Sequence, residues 1–148
     1  MRNRILAVAA ALVLPLTFIG CSDDDSSSTV PDDVETVLDA YTQAWTDYDG
    51  EAFLAVVTDD YRHISDNGEL DATEQAAGIQ AGASFNFTAE AQGDQIGAGD
   101  GPYYVAQGNL LKGRGFPDDG VVGISTFTVV DDGGTLKVSE HVFVGELP

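Results

Sequence analysis

His63 and His141 are the only two histidines in the chain, and imidazole is the side chain best matched to proton transfer near neutral pH. Tyr61 to Ser65 alternates as a short strand does, which puts Tyr61, His63 and Ser65 on one face. The same period puts Ser139, His141 and Phe143 on one face of the C-terminal run, with Val138, Glu140 and Val142 on the other. Facing one another, these residues would line a pocket with Tyr61, His63, His141 and Phe143. Acid–base chemistry there would use His63 or His141 as the base and a phenol, Tyr61 or Tyr41, as donor to a developing oxyanion. Glu140 is the candidate orienter of an imidazole.

An apolar cavity has ample material. Tyr41, Trp45, Phe53, Tyr104 and Phe127 supply aromatic area, and a tyrosine hydroxyl aimed inward would give such a cavity selectivity. Other chemistries find no footing. The acidic stretches Asp47 to Glu51 and Asp66 to Glu69 lack the twelve-residue calcium loop with its terminal glutamate, so no metal site is expected. No glycine loop opens a helix for phosphate and no serine sits in a nucleophile elbow, and no cofactor is expected. The single cysteine, Cys21, lies before the folded part and leaves it without disulfides or a thiol nucleophile.

The elements that must position these groups follow from periodicity. Asp32 and Glu35 have capping-box spacing, and Val34, Val37, Leu38, Tyr41, Trp45 and Tyr48 then recur at helical intervals. Asp49-Gly50 ends that helix, and a shorter one over residues 51–57 buries Phe53, Val56 and Val57. After the strand at Tyr61 to Ser65, Asp66-Asn67-Gly68 turns the chain. Asp71 and Glu74 repeat the cap spacing before an alanine-rich third helix to about Ala83. The remainder reads as strand: Phe85 to Thr88, Tyr103 to Leu111, Val121 to Val130 and Thr135 to Val144. Residues 94–101 and 113–120 read as loops, and Asp131 to Gly134 as a hairpin turn. Three helices followed by an antiparallel sheet make an α+β domain.

Arg2 and Arg4 precede an uncharged run, Ile5 to Gly20, interrupted by Pro15 and too short to span a bilayer. That is the pattern of a secretory signal peptide. Its end, Phe18-Ile19-Gly20-Cys21, resembles the lipobox of prokaryotic lipoproteins, which implies cleavage before Cys21 and lipidation of its sulfur. Residues 1–20 are then the signal peptide, 21–31 an acidic and serine-rich tether, and 32–148 the folded domain. With 25 acidic and 6 basic residues the chain carries −19, a field that repels phosphate backbones and excludes nucleic acid as a partner.

The run Val34 to Leu70 resembles the opening of the nuclear transport factor 2-like superfamily, in its SnoaL-like branch. The resemblance is carried by Tyr41 and Trp45 on the first helix, Asp49-Gly50, Phe53, Asp59-Asp60-Tyr61, His63 and Gly68. The closing pair, Phe127 to Phe143, is similar to the family's last two strands. The likeness implies a cystatin-like α+β barrel: three N-terminal helices on a strongly bent antiparallel sheet that forms a cone. It also implies proximity of the strands bearing His63 and His141, and a homodimer through the sheet. The expected function is a lipid-anchored module outside the cytoplasm that binds a small hydrophobic molecule without catalysis and touches the membrane only through its lipid. The alternative is a proton-transfer enzyme of isomerase or dehydratase type.

Overall fold

The computed structural model describes residues 30–145, so Cys21, the leader and the tether lie outside the described residues. Helix α1, Asp32–Thr46, buries Val34, Leu38, Tyr41 and Ala44, the three-and-four spacing that makes one apolar stripe. Its start differs from the expected capping box. Pro31 occupies the cap position, Asp32 is already helical, and no side chain caps the helix. The carboxylates of Asp32, Asp33 and Glu35 still lie in the first turn, where the helix dipole favours them.

The chain leaves α1 through Tyr48, held at φ 56°. Asp49 does not end α1. It starts α2, Gly50–Ala55, with its carboxylate accepting from the Glu51 and Ala52 amides at 3.0 Å each. Gly50 is required by packing, since a Cβ there would meet the Ala76 carbonyl oxygen at 2.8 Å. Helix α3, Ala72–Gly82, carries the full capping box that the sequence announces. The Glu74 amide donates to Asp71 at 2.9 Å and the Asp71 amide to Glu74 at 3.1 Å.

Six strands form one sheet: β1 (Val57–Ser65), β2 (Gly68–Asp71), β3 (Thr88–Ala98), β4 (Tyr103–Lys112), β5 (Val121–Asp131) and β6 (Leu136–Val144). Their order is β2-β1-β6-β5-β4-β3. The sheet is mixed rather than wholly antiparallel, because β1 and β6 run parallel. Far apart in the chain, they are free of the hairpin connection that imposes antiparallel pairing. Strand β2 and the early start of β1 were not expected from the sequence. Phe85 lies in a 3₁₀ turn, Ala83–Phe85, instead of a strand, and Asn86 follows at φ 49°, a conformation asparagine tolerates well. Strand β3 then runs through much of the segment expected as a loop.

The inner face of the sheet holds Val105, Phe127, Val129 and Val138 against α1, α2 and Ile79 of α3 in one buried core. The core fills one end of the space between helices and sheet. The other end is open.

Candidate active or binding site

Parallel pairing of β1 with β6 sets His63 directly opposite His141. Register partners in neighbouring strands put their side chains on the same face, and the two Nδ1 atoms lie 3.1 Å apart. From α1, the Tyr41 hydroxyl reaches His141 Nδ1 at 2.9 Å, and the Tyr61 hydroxyl sits 2.9 Å from that of Tyr41. From β5, Ser125 Oγ meets His141 Nε2 at 2.8 Å, and Phe127 stacks on the His141 ring with centroids 4.6 Å apart. Four elements thus converge on one imidazole whose two nitrogens are both occupied.

Burial decides the charge of this cluster. It lowers His63 to about 4 and holds His141 well below its ordinary value, the neighbouring His63 adding to the effect. Burial likewise raises the phenols of Tyr41 and Tyr61. At neutral pH the cluster is therefore an uncharged hydrogen-bond network. Two neutral imidazoles joined Nδ1 to Nδ1 share one proton on that bond. When His63 supplies it, His63 Nε2 is a bare acceptor and His141 Nε2–H donates to Ser125. When His141 supplies it, His63 Nε2–H becomes a donor and His141 Nε2 accepts from the Ser125 hydroxyl. No other described residue bonds His63 Nε2, so this one atom offers either polarity.

His63 faces a cavity of about 620 Å³ between the helices and the sheet. Tyr41, Trp45, His63, Phe127, His141 and Phe143 all line it, which brings together six of the side chains expected at a pocket. Three do not reach the wall. Phe53 is fully buried beneath Tyr41 and Tyr61, at centroid distances of 5.4 and 5.3 Å. Tyr61 is 1% exposed, its hydroxyl spent on Tyr41. Tyr104 points out of the opposite sheet face and is 51% exposed, since its neighbour Val105 takes the inward position. Glu140 also faces outward and pairs with Arg62 at 2.9 Å instead of orienting an imidazole.

Several wall residues were missed: Gln75 from α3, Gln107 and Asn109 from β4, Phe87, and Arg114 and Phe116 from the β4–β5 loop. Gln107 and Asn109 carried a signal, because they share the period-two face of the buried Val105. Gln75 is 3% exposed and its Oε1 has no partner. A buried amide oxygen without a bond costs about 1–3 kcal/mol.

This fold recurs in solved structures. A conserved protein from Planctomyces limnophilus matches with TM-score 0.65 at 15% identity, covering 77% of this chain and 94% of that one. An NTF2-like protein from Pseudomonas putida matches with TM-score 0.63 at 13% identity, covering 78% and 85%. The chain has the nuclear transport factor 2-like fold. The same fold relates it to a provisionally assigned scytalone dehydratase from Novosphingobium aromaticivorans, with TM-score 0.63, 13% identity and coverage of 78% and 83%. No family model and no curated protein matches the sequence. On a nuclear transport factor 2-like scaffold the helices and the inner sheet face form the cavity, so its chemistry belongs to the side chains that line it.

Proposed function

We propose that the cavity binds a small, largely apolar molecule bearing one hydroxyl or carbonyl group, without transforming it. The carrying observation is an imidazole nitrogen, His63 Nε2, that no described residue bonds, on a cavity wall that also carries Trp45, Phe87, Phe116 and Phe127. An apolar pocket with few polar contacts gains affinity from burial and selectivity from the polar contact. Catalysis would ask for more. The phenols that would steady an oxyanion are engaged with His141 and with each other, and among the described residues no carboxylate hydrogen-bonds either imidazole.

Trp45 is the only tryptophan and lines the cavity, so its emission reports occupancy. Phenylbutanol should shift that emission and bind more tightly than butylbenzene, and His63→Phe should erase the difference. Equal binding of both by the wild-type protein removes the role given to His63. Proton-transfer catalysis is the second reading, favoured by the unbroken path Ser125–His141–His63. It requires a substrate whose turnover His63→Gln abolishes while binding stays within roughly tenfold.

We further propose that the domain is displayed outside the cytoplasm on a lipid at Cys21 and pairs with a second copy through the outer face of its sheet. The leader and its terminal cysteine support the first proposal. Apolar side chains on that face, Val122 at 72%, Ile124 at 57% and Val144 at 63% exposed, support the second.

A further inference from the structure

We propose that the ligand is an amphipathic organic acid whose carboxylate is held by Arg114 at one end of the cavity. The proposal rests on the cavity being a ligand site, as argued above. Cations are scarce in this chain: besides Arg114 the described residues hold Arg62 and Lys137, which are paired, and Lys112, which has no ion pair but does not line the cavity. Arg62 pairs with Glu140 at 2.9 Å and Glu69 at 3.4 Å, and Lys137 with Asp132 at 2.8 Å. Arg114 lines the cavity and has no ion pair among the described residues. A guanidinium left unpaired beside 25 acidic side chains is free for a ligand.

The backbone that carries Arg114 is fixed. Its amide donates to the Phe85 carbonyl at 2.7 Å, and Gly113 packs so closely that a Cβ would lie 3.2 Å from the Phe87 Cα. Aromatic rings continue from there along the cavity. Phe116 lies 5.8 Å from Phe87, and Phe87 lies 5.5 Å from Trp45. An apolar body fits along this row with its acid group at the Arg114 end, where the planar fork of the guanidinium matches a carboxylate. Of the other titratable groups facing the cavity, His63 and His141 stay neutral and only Asp39, on α1, opposes an anion.

The negative field of the whole molecule also opposes an acid, but over a longer range. At physiological salt the Debye length is about 8 Å, so the distant carboxylates are screened and direct contact with the guanidinium dominates. Phenylbutyrate and phenylbutyramide share one body and differ in charge, which isolates this contact. At about pH 7.5, in physiological salt, phenylbutyrate should shift Trp45 emission with roughly tenfold higher affinity than the amide. Arg114→Gln should abolish that preference by weakening the acid far more than the amide, and Arg114→Lys should keep part of it. Arg114 is exposed and its backbone bond survives substitution, so both variants should melt as the wild type does.

Equal affinities, weaker binding of the acid, or a preference that persists in Arg114→Gln would each overturn the assignment while leaving the cavity a binding site. If neither probe reaches the cavity, the binding reading falls and this inference falls with it.

Discussion

The histidine pair shows how little sequence distance matters once register is set. His63 and His141 meet because they are opposite one another in the sheet, and burial, more than any charged neighbour, keeps them neutral. Neutrality has a consequence for stability. In the unfolded chain both imidazoles take up protons near pH 6.5, whereas the fold resists protonation until about pH 4 at His63. The stabilisation is therefore complete above about pH 6.5 and is lost as pH falls from there towards the folded value. Each neutral imidazole should contribute a slope of about 1.4 kcal/mol per pH unit below pH 6.5. Denaturant unfolding between about pH 8 and pH 5 measures it, and His63→Gln should flatten the curve by one histidine's share. A stability that is level down to pH 5 would mean that the imidazoles are solvated and titrate freely.

At the scale of elements, strand alternation gives the sheet two characters. Inward positions of β5 such as Ser125, Phe127 and Val129 are buried, while the outward Val122 and Ile124 are open. Ile124 lies directly opposite Val144 on β6, so the exposed side chains adjoin. Covering such a patch with a second copy removes apolar area from water at about 25 cal/mol per Å². Sedimentation should find a dimer for the wild-type domain and a monomer for Ile124→Asp, with a melting transition as cooperative as before. A wild-type monomer at every concentration tried would assign those side chains some other partner. The helices are held independently of this face. The Asp71–Glu74 box and the Asp49 cap satisfy their first amides locally, and the spacing of the Asp71–Glu74 box is why the start of α3 could be read from residue types.

For the whole molecule, charge is the dominant property. The chain's net charge of −19 generates self-repulsion that the few ion pairs cannot offset. Raising salt from low concentration to about 0.5 M shortens the Debye length to about 4 Å. The melting temperature should rise over that range, and a fall would show that specific pairs outweigh the general repulsion. The other molecular property is its placement. Labelling cells with a radioactive fatty acid should mark the full-length protein and fail to mark Cys21→Ser. An unlabelled wild type would overturn the proposed anchor.

The capping box of α3, the apolar stripe of α1 and the shared face of Tyr61 and His63 were legible from residue type and spacing, because caps and periodicity act within a few residues. So was the pairing of aromatic wall with histidine that suggests a pocket. Val138, by contrast, expected on the face opposite His141, is in the core beyond a register shift between β5 and β6. Three matters depended on tertiary structure. The parallel pairing of β1 with β6 joins segments 78 residues apart, and nothing local specifies its direction. Phe53 and Tyr61 looked like wall residues but lie beneath Tyr41, since the depth of a side chain is set by what packs over it. Gln75, Gln107 and Arg114 lie on separate segments, and only the fold brings them to one cavity wall. Local chemistry determined which elements form, and long-range packing decided which of their side chains meet.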